Sequence, residues 1–346
     1  MRERKLHLHE NTHNDPVNKH DHNHGHNHGH SHGTVDATIL TSERGIWAVK
    51  WSFFWMAITA IIQLVVVIFS GSVALLADTI HNFGDAATAI PLWLAFSLGK
   101  RAPTKIFTYR LGRVEDLAGI AVVLIILLSA IVAGYESINR FFHPQSVENL
   151  WAVVAAAIVG FLGNEGVARF RIRVGKEIGS AALIADGYHA RTDGFTSLAV
   201  LLGAIGVWLG FPLADPIIGL LITIAILRIV WDSAKSVFTR VLDGVDPEVV
   251  DEIRHAVNHT PGVQDITEVR VRWLGHRLNA ELNIAVTPDC SVEKGHEIAK
   301  EVRHQLLHQL EYLSNAVVHI DPLTASGEEH HSMSNHTHGD LPMHSH

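Results

Sequence analysis

The sequence predicts an α-helical membrane protein with six transmembrane helices, followed by a C-terminal α+β domain on the cytoplasmic side. Three observations lead there: six apolar runs of spanning length, basic residues gathered in alternate connections, and a change of apolar spacing after about residue 245. Composition agrees. Apolar residues make up 47% of the 346 and charged residues 18%, a low charged share beside the roughly 25% of ordinary soluble domains. Mean hydropathy is +0.18, modest for a membrane bundle, so a polar portion must dilute it.

Residues 1–44 are expected to form a His-rich, disordered cytoplasmic tail, with "HDHNHGHNHGHSHG" at 20–33. It lacks the apolar core of a signal peptide. Its histidines alternate with Asn, Gly, Asp and Ser, unlike the unbroken run of an affinity tag, and such tracts bind transition metals loosely. The transmembrane domain is expected over 45–240. Its crossings fall at about 46–69, 73–98, 114–138, 149–170, 180–208 and 213–234, each near the roughly 20 residues that span a bilayer. The 99–113 loop carries Lys100, Arg101, Lys105, Arg110 and Arg113. A 171–179 loop and the adjoining helix end carry Arg169, Arg171, Arg173 and Lys176. The alternate connections, "SGS", "NRFFHPQSVEN" and "GFPLADP", are nearly bare. The positive-inside rule then puts both basic loops and both termini in the cytoplasm.

Beyond residue 241 a smaller domain is expected, to about 323. "DPEVVDEIRHAVNHT" has amphipathic helical spacing, with Asp246 and Pro247 as its start signal. "ITEVRVRWL" and "RLNAELNIAV" alternate as strands do, separated by a Gly275-His276 turn. "SVEKGHEIAKEVRHQLLHQL" is again helical with Ser291 as N-cap, and "NAVVHIDP" closes as a strand. This α-β-β-α-β order implies two helices on one face of a sheet. Residues 324–346 repeat the His-rich, disordered theme. The single Cys290 excludes an intrachain disulfide framework and a multi-cysteine metal site. A net charge of −8 offers no basic footprint for nucleic acid.

Charged residues inside a crossing are costly and therefore paired or functional. Two crossings carry the same set. "ADTIHNFGD" at 77–85 and "ADGYHARTD" at 185–193 both read Ala-Asp-x-x-His-x-x-x-Asp. His and Asp at i, i+4 share one helix face, so His81 with Asp85 and His189 with Asp193 each offer one nitrogen and one oxygen. Facing each other, the two helices supply an N₂O₂ set suited to tetrahedral Zn²⁺. Asp78 and Asp186 have two readings: groups that orient the histidines, or the lining of an access path. Asn164 and Glu165 also sit deep in a crossing, serving the ion pathway or helix packing.

On these motifs the chain resembles the cation diffusion facilitator family over roughly residues 45–322. The resemblance implies a cytoplasmic ferredoxin-like fold for the C-terminal domain, a homodimer, and exchange of metal for protons. It implies that His81, Asp85, His189 and Asp193 form the transport site, in the His-containing version typical of zinc transporters. Manganese members of the family usually place Asp at the first position of at least one motif. "YRLGRVEDLAG" at 109–119 resembles the segment in which a basic residue pairs with an acidic one after the sixth helix. Here these are Arg113 and Asp243, although Arg113 also reads as a plain positive-inside charge. Some members hold a metal in the 99–113 loop through Asp and His; neither occurs there, and no metal is expected in it. Bacterial members can hold a binuclear zinc site in the cytoplasmic domain, matched by His296, His319 and Asp321. Gln264 and Glu281 stand at two other expected His positions. The readings are then one regulatory ion on His296, His319, Asp321 and Glu281, or a metal-free domain.

Zinc binding needs unprotonated ligands, so it releases protons and is reversed by them. A histidine near its ordinary pKa of about 6.5 alternates between metal and proton over a physiological range. The expectation is a proton-coupled Zn²⁺ efflux transporter working by alternating access in a bacterial inner membrane, with no resident cofactor and no enzymatic activity. Cd²⁺, Co²⁺ and Fe²⁺ are the other candidate ions. A passive metal channel is the alternative, but channels use weak rings of like groups. An intramembrane metallohydrolase needs an open water position, and no HExxH occurs.

Overall fold

The computed structural model describes residues 37–70, 89–142, 150–211 and 213–327. Residues 1–36 and 328–346, which hold the His-rich tracts, and most of the second expected crossing lie outside them; residues 37–44, expected as disordered tail, are instead the start of the first helix. The first helices run α1 (Ala37–Ser70), α2 (Ala89–Gly99) and α3 (Arg113–Phe142). They are followed by α4 (Leu150–Ile178), α5 (Ala181–Trp208) and α6 (Ala214–Val241). Among the described residues, α1, α3, α4 and α6 are long and apolar enough to cross a membrane, and α2 is a shorter apolar helix. α5 is as long but is interrupted by Asp186, His189, Arg191 and Asp193.

Large apolar side chains on these helices face outward, as lipid-facing surfaces require. Leu124, Leu128 and Ile131 on α3 and Leu221, Ile224 and Trp231 on α6 are all exposed. Near the start of α1, Trp47, Trp51 and Trp55 form an exposed aromatic group, the composition of an interfacial belt. Several close contacts between helices fall at glycine. A Cβ on Gly45 would meet the Phe96 ring, one on Gly119 would meet Val237, and one on Gly187 would meet Ile172 and Arg171. Small residues let apolar helices approach closely where no hydrophobic force drives them together.

The expected 171–179 loop is not a loop. α4 continues through Ile178, Gly179 turns the chain at φ +72°, and Ser180 caps α5 by accepting from the Leu183 amide at 3.0 Å. The Ser180 amide donates back to the Gly175 carbonyl at 2.8 Å, as a glycine-terminated helix does. The charges at 169–176 therefore lie on a helix, and Arg171 is fully buried.

The second part has the order the spacing predicts: α7 (Pro247–Asn258), β1 (Asp265–Leu274), β2 (Arg277–Val286), α8 (Val292–Gln309) and β3 (Leu313–Pro322). The sheet order is β1-β2-β3, with β1 and β2 antiparallel and β2 and β3 parallel through α8. Gly275 opens the hairpin turn at φ +64°, a conformation cheap only for glycine. Leu278, Ala280, Leu282, Ile284 and Val286 alternate onto one face of β2. There they join Ile253 and Val257 of α7 and Ile298, Val302 and Leu306 of α8 in one core. Asp246 caps α7 by accepting from the Glu248 amide, and Ser291 caps α8 by accepting from that of Lys294.

Candidate metal site

The described half of the site lies on α5. Asp186, His189 and Asp193 are 0%, 1% and 3% exposed. His189 Nδ1 and Asp193 Oδ2 stand 3.8 Å apart, one turn from each other. Zinc held at about 2.0–2.1 Å by each donor sets tetrahedral neighbours roughly 3.4 Å apart. The pair therefore needs to close by only a few tenths of an ångström to share an ion. Asp78, His81 and Asp85 lie outside the described residues.

α4 positions this half. Asp186 Oδ2 is 2.8 Å from Arg171 Nη1, and neither side chain has any solvent exposure. The Arg171 Nη2 group also donates to the Met56 sulfur of α1 at 3.4 Å. An arginine thus holds the Asp186 carboxylate and ties α5 to α4. One turn along, Glu165 accepts from Arg191 Nε and Nη2, both at 3.1 Å, and from Arg169 Nε at 2.8 Å. Glu165 is thus a clamp between helices. Asn164 is buried where a Cβ on Gly194 would touch its own Cβ at 3.5 Å, so it packs against α5 at Gly194. Arg171 is the residue sequence reasoning missed: its positive charge was counted toward a loop, and only the packing of α4 on α5 supplies its partner.

The four cytoplasmic candidates are not all brought together within one chain. His319 Nε2 lies 3.0 Å from Asp321 Oδ1. Glu281 accepts instead from Arg272 Nη2 at 3.0 Å. His296 stands exposed on α8, which packs on the side of the sheet that Ile320 faces: a Cβ on Gly295 would touch the Ile320 side chain at 3.5 Å. Neighbouring residues of a strand point to opposite faces, so His319 and Asp321 point away from that side. Among the described residues no three His, Cys, Asp or Glu side chains gather around one point. The single-ion site on His296, His319, Asp321 and Glu281 is not formed by one chain.

The structure does bring Arg113 and Asp243 together in an ion pair, with Arg113 Nη1 also donating to the Val241 carbonyl at 3.2 Å. Asp243 takes φ +61° there. Beside this pair is a junction the sequence did not announce. The His276 imidazole of the β1–β2 turn is buried with Nδ1 2.6 Å from Glu115 Oε2 of α3 and Nε2 2.8 Å from Thr41 Oγ1 of α1.

Comparison with known proteins agrees with this architecture. Residues 49–242 match the family model described as the cation efflux transmembrane domain. Residues 245–323 match the one described as the cation efflux protein cytoplasmic domain. A probable cation efflux system protein of Mycobacterium tuberculosis is 56% identical over 289 residues, covering 84% of this chain and 87% of its own. The manganese efflux system protein MneP of Bacillus subtilis is 26% identical over 259 residues, 72% of this chain and 87% of that one. Magnetosome protein MamB of Paramagnetospirillum magneticum is 25% identical over 279 residues, 79% and 94% of the two chains.

Proposed function

Because this chain belongs to the cation diffusion facilitator family, multi-pass membrane transporters of metal cations and not enzymes, we propose that it exports Zn²⁺ in exchange for protons. One site made of His81, Asp85, His189 and Asp193 carries the ion, in a homodimer whose termini face the cytoplasm of a bacterial inner membrane. The observation that carries this reading is the buried His189–Asp193 pair on α5, whose spacing recurs at His81 and Asp85.

The chemistry of the donors supports zinc. Two imidazole nitrogens and two carboxylates suit a borderline ion that accepts four ligands, whereas Mn²⁺ and Mg²⁺ favour all-oxygen shells of six. One relative is named for manganese efflux, so manganese is the second reading; the two histidines weigh against it. Proton exchange follows from the same ligands. An imidazole that holds zinc cannot hold a proton on the same nitrogen, so protonation from the far side releases the ion and each return leg carries protons. Arg171 and Asp186 form a neutral pair beside the site, leaving its negative charge to Asp85 and Asp193.

The test is flux in proteoliposomes loaded with zinc and pH indicators. Zinc movement should be driven by an imposed pH gradient and should move protons in the opposite direction. Zinc flux that ignores the gradient would mean a passive channel, and manganese flux exceeding zinc flux would favour the second reading.

A further inference from the structure

The cytoplasmic α+β domain carries two histidine pairs that neither its core nor the transport site uses. His255 on α7 and His259, which caps the C-terminus of α7, have ring centroids 4.4 Å apart; on α8, His304 and His308 are 4.3 Å apart. All four are exposed, while the buried face of each helix is supplied by Ile253, Ala256 and Val257 or by Val302 and Leu306. Folding therefore places no demand on these positions for imidazole.

Their spacing has a chemical consequence. Residues at i, i+4 stand over one another on a helix face, and this is the spacing with which a helical HExxH segment puts two imidazoles on one zinc ion. The ring planes are inclined by 51° in the first pair and 70° in the second, so neither is a parallel stack. In the α7 pair a further bond prepares one donor. His259 Nδ1 donates to the His255 carbonyl at 2.7 Å, which places the proton on Nδ1 and leaves the Nε2 lone pair for a metal. Asp251, one turn before His255 on the same face, is exposed as well and adds a negative charge that attracts cations.

Among the described residues no third protein ligand converges on either pair. Each offers two nitrogens, with water left to complete the shell. Such a shell suits ions that favour imidazole, Zn²⁺, Ni²⁺ and Cu²⁺, over Mg²⁺, Ca²⁺ and Mn²⁺, which favour oxygen. We propose that His255 with His259, and His304 with His308, are two separate surface chelates for borderline divalent transition metals. Two protein ligands hold such an ion weakly enough to exchange, so the domain presents releasable metal on its own surface. The proposal is independent of the transport-site reading.

The experiment uses the full-length protein in detergent, modified with diethylpyrocarbonate and read residue by residue by peptide mass spectrometry. Zn²⁺ should lower modification of His255 and His259 together, and of His304 and His308 together, by several-fold; Mg²⁺ should not. His255→Ala should abolish the zinc protection of His259 while sparing the other pair. The variant keeps the carbonyl that orients His259, so the loss reports a missing ligand and not a reoriented ring. His304→Ala should act likewise on His308. His189→Ala should leave all four protected, which separates these chelates from the transport site. Equal modification with and without zinc, protection of His259 that survives His255→Ala, or equal protection by Mg²⁺ would overturn the proposal.

Discussion

Arg171 carries a full positive charge at a position with no solvent exposure, and the carboxylate that balances it belongs to the helix holding His189 and Asp193. Removing one member of a buried pair strands the other and costs about 3–5 kcal/mol, whereas replacing both by neutral groups is often tolerated. Arg171→Met should therefore lower the thermal stability of the detergent-solubilised protein sharply. Adding Asp186→Asn should recover most of that loss. Equal instability of the single and double variants would show that Arg171 acts through packing alone. The histidine and aspartate spacing was legible in the sequence because helix geometry converts i, i+4 into a shared face. The Arg171–Asp186 pair was not legible, because it depends on which turn of α4 meets which turn of α5. A charge tally along the chain cannot distinguish a buried arginine from a solvated one.

At the scale of elements, α4 and α5 approach so closely that glycine is needed between them. A Cβ on Gly187 would lie 3.0 Å from the Ile172 backbone nitrogen and 3.1 Å from Arg171 Cβ, while one on Gly166 would meet nothing within 4 Å. Gly187→Val should push the helices apart and displace Asp186 and His189, lowering both melting temperature and metal flux. Gly166→Ala should leave flux unchanged and raise stability by about 0.5–1 kcal/mol, the usual gain of alanine over glycine within a helix. If the two variants behaved alike, the close approach of α4 and α5 would not govern the site. Among the described helices the apolar runs started α1 near residue 46, where the helix begins at Ala37, and ended α4 near residue 170. Hydropathy stops where charged residues begin, and Arg171, Arg173 and Lys176 continue the helix to Ile178. The α-β-β-α-β order was legible throughout, since caps, turn glycine and alternation all agreed. The cytoplasmic ion site was read by matching positions along the chain, which does not tell which face of the sheet each residue occupies.

Across the whole molecule, the second domain meets the helices through buried polar contacts. His276 sits between Glu115 and Thr41, the Gly275 amide donates to Asp116 at 3.4 Å, and Arg240 stacks 3.9 Å over the Trp273 ring. Glu115→Ala leaves the His276 Nδ1 group without its carboxylate, at a cost of about 1–3 kcal/mol. It should speed proteolysis of the chain at residues 242–246, and wild-type cleavage rates would contradict a role in docking. Deleting residues 1–33 should reduce flux at scarce zinc and spare it at saturating zinc, because a tract of alternating histidines gathers metal without fixed geometry. Complete loss at saturating zinc, with folding intact, would place the tail in the pathway. The central claim is that His81 and His189 share one zinc ion. It is tested most directly by initial flux of Zn²⁺, Cd²⁺ and Mn²⁺ in proteoliposomes at two pH values, for wild type, His81→Asp and His189→Asp. Exchanging either nitrogen for an oxygen and a negative charge should move preference away from zinc toward Cd²⁺ and Mn²⁺ and shift the pH dependence, with both variants changing in the same direction. Zinc preference and a pH profile unchanged in either variant would contradict the shared site.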